Sequence, residues 1–325
     1  MKKYFGNISK LVIGTLIIGV TITACTSTSK VNNSKKIATE KSTILVNSYS
    51  NQFFKANRID KDIFRISGVN GELMYLIEGA NKAVLIDTGT GIGNLKEFVE
   101  KITKKPITVI LTHGHVDHAP GSALFDDVYM SFADKNLYSE HDTLDTRKGF
   151  TSASYKEANT LKDEDYVPLK KSDNFKNLTD GSIFDLGGIT LEAIAIPGHT
   201  NGMTAILIKE KRILLTGDGC NFFTFLFDNT TSGLTSYEKT IKTLISKVDG
   251  KFDKIYLSHG SGDAPKELLT DMIKLCEDIK NGKADNVPFE FMGMKAFIAK
   301  KMNADYTRVD GGIANLVYDP KRISE

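Results

Sequence analysis

The stretch His113-Gly114-His115-Val116-Asp117-His118 directly follows the apolar run Ile107-Thr108-Val109-Ile110-Leu111-Thr112. Three of the six histidines in the 325-residue chain fall within it. Residues two apart in an extended or turning segment direct both imidazoles to one side, while Asp117 and His118 can face a second position in the next turn. Imidazole and carboxylate together are donors that zinc and related metals prefer. The stretch therefore predicts a metal site at the end of a strand.

Two more histidines and an aspartate have the same placement along the chain. His199 follows the apolar run that ends at Ile196, Asp218 follows the run 213–216, and His259 follows the run 256–258. Glycines lie beside these positions and allow tight turns after each strand. Convergence at one edge of a layered fold is the simplest geometry that uses all of these polar groups.

Strand and helix patterns alternate from residue 63 onward. Helices are indicated where apolar residues recur on one face, over 95–102, 237–248 and 269–279. Helices with a single apolar face imply sheets that are covered on their outer sides, so we expect a layered α/β or α+β sandwich. Short β-branched runs indicate strands over 63–66, 73–78, 83–87, 107–112, 128–131, 189–196, 203–209, 213–216, 254–258 and 313–318.

These motifs together resemble those of metallo-β-lactamase-fold hydrolases. The family pattern has five parts, and the resemblance extends over about residues 62–319. The five matching parts are Asp87 in Leu85-Ile86-Asp87-Thr88-Gly89, the stretch 113–118, His199, Asp218 and His259. The resemblance implies a four-layer αββα sandwich with a two-metal site on one edge.

The resemblance also implies a role for each matching residue. In binuclear members, the counterparts of His113, His115 and His199 hold one metal, and those of Asp117, His118 and His259 hold the other. The counterpart of Asp218 bridges both metals, and that of Asp87 orients the ligands from behind. We expect two divalent cations, with zinc favoured and manganese or iron as alternatives. Asp117 and Asp218 are the expected catalytic carboxylates.

The bridging position expected for Asp218 reduces the number of reactions that the resemblance implies. Class B β-lactamases as a group lack this aspartate, whereas hydroxyacylglutathione hydrolase-like thioesterases, lactonases and phosphodiesterases of the fold keep it. We therefore expect a metal-dependent hydrolase that uses water activated between two metals to attack a lactone, thioester or phosphoester. Three alternatives remain open: a β-lactam hydrolase, an iron enzyme resembling persulfide dioxygenases, and a non-catalytic metal-binding lipoprotein.

The N-terminus has the layout of a signal peptide. Lys2, Lys3 and Lys10 precede an uncharged run of 14 residues, 11–24, which is too short for an ordinary membrane span. The run ends in Ile-Thr-Ala before Cys25 and resembles a bacterial lipobox, which predicts lipidation of Cys25. The expected divisions are a signal peptide over 1–24, a flexible tether over 25–61 and a hydrolase domain over 62–325. The protein would then be anchored to the cell membrane on its extracytoplasmic side.

The charge balance limits the classes of partner. The chain has 42 Lys and Arg against 40 Asp and Glu, and removal of the three lysines in 1–24 leaves 39 against 40, or −1. The chain has no excess of basic residues, so its charge does not indicate a nucleic-acid partner. The expected partners are a small-molecule substrate and a membrane contacted through the lipid, with the oligomeric state left open.

Three further features have two interpretations each. Residues 136–180 are long and polar and are expected to form an insertion or lid, in which His141 is interpreted as a solvated helix residue. The run 221–227 contains four phenylalanines and is either core or an apolar wall of the substrate pocket. Cys220 is interpreted as a loop residue beside the site rather than as a ligand.

Overall fold

The computed structural model describes residues 47–291 and 293–325. The predicted signal peptide, Cys25 and the tether up to residue 46 lie outside the described residues. Residues 48–325 form a single unit. Over the described ranges, none of the helices has the length and apolar character needed to cross a membrane.

The first sheet has eight strands in sequence order. Strands β1 to β5 pair antiparallel, and β5 to β8 pair parallel. Residues after β6 therefore leave the sheet at the same edge as those after β5. The strands are Ser48–Ser50 (β1), Lys55–Asp60 (β2), Ile63–Ser67 (β3), Leu73–Glu78 (β4), Ala83–Ile86 (β5), Ile107–Ile110 (β6), Val128–Met130 (β7) and Lys176–Asn177 (β8).

The second sheet has six strands in the order β15-β14-β12-β11-β10-β9. They are Ile183–Asp185 (β9), Thr190–Ala195 (β10), Thr204–Ile208 (β11), Ile213–Gly217 (β12), Lys254–Leu257 (β14) and Asp263–Pro265 (β15). Strands β12 and β14 pair parallel, so the loops that follow them leave at the same edge.

The two sheets pack face to face and helices cover their outer faces. The shared core contains Ile77 and Ile86 of the first sheet and Ile206 and Leu215 of the second. The described helices are Leu95–Ile102 (α1), Lys135–His141 (α2), Leu144–Ser154 (α3), Leu234–Val248 (α4) and Glu267–Lys280 (α5). Helix α1 packs on the outer face of the first sheet, and α4 and α5 pack on the outer face of the second. The predicted αββα sandwich is confirmed.

Helix α1 illustrates how the sequence sets these elements. The Asn94 side chain accepts a hydrogen bond from the Glu97 amide at 3.0 Å and caps the first turn. Leu95, Phe98 and Val99 are buried, whereas the intervening positions carry charged side chains. The apolar spacing therefore predicts both the helix and the face that it buries.

A third sheet of four strands was not expected from the sequence. Its strands are Phe223–Leu226 (β13), Val287–Phe291 (β16), Met294–Ile298 (β17) and Asn315–Tyr318 (β18), in the order β13-β18-β17-β16. Strand β13 pairs parallel with β18. Leu226 and Leu316 pack into the core beneath α4 and α5. The other face of this sheet carries aromatic side chains.

The folded part of the chain begins earlier than the predicted tether boundary at residue 61. Residues 48–60, assigned to the tether, contain β1 and β2 and lie at the edge of the first sheet. Only Phe54 and Ala56 are buried there, and the remaining side chains are exposed or half-buried. A polar strand at a sheet edge buries too little to be recognised from hydrophobicity. Elsewhere, each of the ten expected strands overlaps an observed strand.

Candidate metal centre

The histidines and aspartates predicted as ligands meet at one edge of the sandwich. The stretch 113–118 follows β6 of the first sheet, and His199, Asp218 and His259 follow β10, β12 and β14 of the second. Their donor atoms fall into three groups, with the atoms of each group within 4.8 Å of one another. The groups are His113, His115 and His199; Asp117, His118 and His259; and His113, His118 and Asp218. We name the first two the first and second donor groups.

The first donor group consists of three imidazoles. His115 Nδ1 lies 3.0 Å from His199 Nε2. His113 Nδ1 lies 3.0 Å from the Thr112 hydroxyl, and His113 Nε2 is buried with no hydrogen-bond partner among the described residues. A buried polar atom without a partner is costly unless another group satisfies it. A cation fits this position, because three imidazole nitrogens already face it.

The second donor group adds a carboxylate to two imidazoles. His118 Nε2 lies 3.3 Å from His259 Nε2 and 3.6 Å from Asp117 Oδ2. Asp218 Oδ2 lies 3.1 Å from His259 Nε2, 3.4 Å from His118 Nε2 and 3.7 Å from His199 Nε2. One carboxylate oxygen of Asp218 therefore reaches imidazoles of both donor groups.

Asp87 lies behind these ligands. Its carboxylate accepts hydrogen bonds from the Thr112 amide at 2.7 Å and from the Thr112 hydroxyl, and lies 2.9 Å from His118 Nδ1. The Thr112 hydroxyl in turn faces His113. Asp87 has a φ of 60°, a left-handed backbone conformation that few residues other than glycine adopt. Asp87 thereby orients an imidazole of each donor group.

Burial and charge act differently on the two donor groups. Burial, followed by repulsion from neighbouring imidazoles, lowers the pKa of His113 and of His115. These rings are neutral, which is the form that binds a metal. Burial also disfavours charge on His118, but the carboxylates of Asp117 and Asp218 outweigh it and raise the pKa of His118. With no cation present, a proton on His118 supplies positive charge.

The charged groups around His118 complement its charge. Burial lowers the pKa of His259, but the Asp218 carboxylate outweighs that effect and raises it. Burial raises the pKa of Asp117 and of Asp218, yet the neighbouring imidazoles outweigh burial and keep both pKa values low. This position concentrates negative charge that a cation can neutralise.

His141 lies closer to the centre than the sequence indicates. Its ring stacks on that of His115, with 5.1 Å between ring centroids and 22° between planes. His141 Nδ1 accepts a hydrogen bond from the Val116 amide at 3.2 Å. The prediction of a solvated helix residue is wrong, because the ring is half-buried against the loop that carries the ligands. Helical periodicity cannot reveal a contact across 25 residues.

Two buried carboxylates near the centre were also missed. Glu72 accepts hydrogen bonds from the amides of Asn70 and Thr90, at 3.0 and 3.4 Å, and burial raises its pKa to about 7. Asp134 accepts hydrogen bonds from the amides of Gly114 and Gly202 at 3.0 and 2.6 Å. Asp134 therefore ties together the two loops of the first donor group. The apolar pattern gives no signal for either residue.

The predicted insertion begins with α2 and α3 and is attached to the site loops by Arg147. This fully buried side chain donates hydrogen bonds to the carbonyls of Thr90, Gly91 and Val167, at 2.9, 2.5 and 2.8 Å. Residues 90 and 91 follow the strand that ends before Asp87. The role of residues 136–180 as a lid stays a prediction.

The residues after Asp218 fall on two sides of β13. Cys220 is fully buried in the core beneath α4, and burial raises the pKa of its thiol to about 12. Phe222 also packs against this core. Phe223, Phe225 and Phe227 lie on the opposite face of the third sheet. The core interpretation of the run 221–227 therefore holds for part of it, and the role of the half-exposed side chains as a wall of the substrate pocket stays a prediction.

Strand β13 is attached to two of the candidate ligands. His199 Nδ1 lies 3.0 Å from the Phe225 carbonyl oxygen. Asn221 accepts a hydrogen bond from the Phe223 amide at 2.8 Å, and its amide nitrogen lies 3.5 Å from Asp218 Oδ1. The aromatic strand and the metal centre therefore share hydrogen bonds.

Known proteins resemble this chain in sequence and in fold. A family model described as the metallo-beta-lactamase superfamily matches residues 67–259. Acyl-coenzyme A thioesterase MBLAC2 from Homo sapiens is 26% identical over 211 residues, which are 57% of this chain and 72% of the relative. Lactamase-like protein nscB from Trichophyton equinum is 25% identical over 230 residues, with 63% and 60% covered. The sec-alkylsulfatase Pisa1 from Pseudomonas sp. superposes with a TM-score of 0.55 at 16% identity, covering 70% of this chain and 42% of that one, which shows a shared fold.

Proposed function

The chain belongs to the metallo-beta-lactamase superfamily, and from this we propose that it is a metal-dependent hydrolase of ester-like bonds with a thioester as its preferred bond. The observation that carries the proposal is the position of Asp218. Its Oδ2 atom lies within 3.7 Å of His199 Nε2 and 3.4 Å of His118 Nε2, so one carboxylate serves both donor groups. A purely structural metal site would not need such a shared oxygen.

The donor atoms suit two divalent cations, and we propose zinc. The first donor group supplies three imidazoles, and the second supplies two imidazoles and a carboxylate, with no thiolate in either. Cations bound there would lower the pKa of a water molecule and polarise the acyl oxygen of a substrate. The chain itself holds the ligands in place through Asp87 and Asp134. Neighbouring imidazoles keep the pKa values of Asp117 and Asp218 low, so both carboxylates stay ionised and supply negative charge that would hold the cations.

The thioester preference rests on the relatives rather than on the donor groups. The relative MBLAC2 is named as an acyl-coenzyme A thioesterase, and the fold alone does not select a substrate. In the proposed reaction, water adds to the acyl carbon and the carbon–sulfur bond breaks. The products are a carboxylic acid and a thiol, with one proton of the water transferred to the sulfur.

A substrate panel tests this proposal. The full chain with Cys25→Ser, loaded with zinc, would be assayed on an acyl-coenzyme A, a lactone, a phosphodiester and a cephalosporin, with Asp218→Ala as the matched control. We expect kcat/KM for the thioester to exceed that for the others by about tenfold or more, and to be lost in the control. Cephalosporin turnover without thioester turnover would support a β-lactam hydrolase. Persulfide oxidation by the iron-loaded chain would support a dioxygenase, and metal binding without any turnover a binding lipoprotein.

We also propose that the protein is anchored by a lipid on Cys25 at the extracytoplasmic face of the cell membrane. The basic start, the 14-residue uncharged run and the small residue before Cys25 support this location. Neither donor group involves residues 1–46, so the anchor would set the location and leave the chemistry unchanged.

A further inference from the structure

Five phenylalanine rings form a continuous apolar surface on the third sheet, which we name the aromatic face: Phe223, Phe225, Phe227, Phe289 and Phe291. Phe225 is at its centre. The centroid of the Phe225 ring lies 5.4 to 5.9 Å from those of the other four rings. Such spacing is that of directly packed aromatic side chains.

The strand pattern shows that this face is turned away from the core beneath α4 and α5 and covers a small buried cluster of Ala296, Ile298 and Val317. Along β13, Phe223 and Phe225 are half-exposed, whereas Thr224 and Leu226 between them are buried. Along β16, Phe289 and Phe291 are half-exposed, and Glu290 between them is exposed on the opposite face. Across the strand pair, Met294 stands opposite Phe291, is exposed and extends the apolar surface, whereas Ala296 opposite Phe289 is buried. Contiguous apolar surfaces of this kind on soluble domains usually bind something.

The aromatic face begins at the candidate metal centre. The backbone carbonyl of Phe225 lies 3.0 Å from His199 Nδ1, so the residue that carries the central ring of the face also contacts a ligand of the first donor group through its backbone. Two residues before the same strand, Asn221 contacts both Asp218 and the Phe223 backbone. A substrate whose reacting bond lies at the donor groups therefore has an apolar surface beside it.

We propose that the aromatic face binds the apolar acyl chain of the substrate, an inference that rests on the proposed thioester hydrolysis and names its substrate class as medium- or long-chain acyl thioesters. The strand residues that contribute to the face carry no charged side chain, which suits a hydrocarbon and not a phosphate or a peptide carboxylate. Burial of each CH₂ group of the acyl chain should stabilise the bound substrate enough to raise kcat/KM about fourfold, until the acyl chain is longer than the aromatic face.

An acyl-chain series tests the inference. On the full zinc-loaded chain with Cys25→Ser, kcat/KM should rise by about two- to fourfold per CH₂ between butanoyl- and decanoyl-coenzyme A. Phe289→Ser should remove most of that rise and leave acetyl-coenzyme A turnover within about twofold. The matched control is Glu290→Ser, on the same strand but the opposite face, which should keep the rise. Hydrolysis that is independent of chain length, or an equal effect of both variants, would overturn the inference.

A binding measurement separates this inference from the proposed hydrolysis. The chain contains no tryptophan, so Phe291→Trp introduces a single fluorescent reporter, and Glu290→Trp is its control on the other face. Decanoic acid should shift the emission of the first variant to shorter wavelength and leave the second unchanged. If the chain hydrolyses no thioester, the proposed function fails while this shift still decides whether the face binds acyl chains. A shift with phosphatidylcholine vesicles but none with decanoic acid would instead identify a membrane contact and overturn the inference.

Discussion

Asp87 Oδ2 lies 2.9 Å from His118 Nδ1, on the edge of the ring opposite the Nε2 atom that faces Asp117, Asp218 and His259. This contact fixes the tautomer of a candidate ligand. The Nδ1–H group donates a hydrogen bond to the Asp87 carboxylate and keeps its proton, and the proton on Nε2 is the one that a cation must displace.

Metal binding should therefore release protons. Because the Asp117 and Asp218 carboxylates raise the pKa of His118 despite its burial, and that of His259 is also raised, we expect about one to two protons to leave as zinc binds at pH 7. Calorimetric titration of the metal-free chain in buffers of different ionisation enthalpy measures this number. His141→Gln, outside both donor groups, should give the same value as wild type. Zinc binding without proton release would contradict the assigned second donor group.

Asp218→Ala should remove one bound metal and most of the activity. The substitution deletes the oxygen that reaches both donor groups and a negative charge that holds two dications close together. Elemental analysis after gel filtration measures the metal content. The control is Cys220→Ala two residues away, which should keep both metals and lose about 1 kcal/mol or more of stability, because Cys220 is a core residue. Loss of metal in the control alone would show that Asp218 does not bridge.

Glu72→Gln should change how stability depends on pH. The pKa of Glu72 is about 7 in the folded chain, where burial disfavours its charge, against 4.5 ordinarily. A raised pKa gives stability that is fully present below about pH 4.5 and is lost as the pH rises through about 7. For the metal-free protein, the unfolding free energy of wild type relative to Glu72→Gln should fall by about 1 kcal/mol between pH 6 and 9. Urea unfolding measures it, and a pH-independent difference would show that Glu72 is ionised throughout.

Arg147→Met should loosen the attachment of residues 136–180. The substitution leaves the carbonyls of Thr90, Gly91 and Val167 without their donor, at a cost of about 3 to 5 kcal/mol in unfolding free energy. The neighbouring Lys148→Met is the control, because its ion pair with Asp163 is exposed and contributes about 1 kcal/mol at most. Chemical unfolding and limited proteolysis within 136–180 measure both effects. Similar losses in the two variants would show that Arg147 does not anchor the segment.

Cys25→Ser should release the protein from the membrane without altering its catalytic constants. Anchoring would depend on the lipid attached to this residue, and the donor groups lie at residues 113–259. Fractionation of expressing cells, with activity followed in membrane, soluble and medium fractions, measures the release. Ser27→Ala in the same segment should stay with the membrane. A Cys25→Ser protein that remains quantitatively in the membrane fraction would mean that another surface holds it there.

The sequence predicts best what is local. The stretch 113–118, His199, Asp218 and His259 each follow an apolar strand, so a sheet edge that collects strand ends brings them together. His141, Glu72 and Arg147 escape prediction, because what places them is contact with residues far away in the chain.

The strands that were missed have a similar physical reason. Strand β16 contains a proline before its two phenylalanines and a glutamate between them, and β2 is largely polar. Each lies at or near the edge of its sheet, where one side needs little apolar surface. A pattern based on burial identifies central strands and overlooks such edges.

The pairing of β13 with β18 determines when the third sheet can form during synthesis of the protein. Among the described strands, β13 hydrogen-bonds to β18 alone, and β18 is the last of these strands in chain order. When the ribosome has produced everything up to residue 310, the Phe225 carbonyl that contacts His199 still lacks the strand that fixes it. All seven candidate ligands are therefore synthesised before the strand that pairs with β13. A product terminated before residue 315 would lack both this strand and the core residue Leu316, and we expect it to hold His199 less firmly.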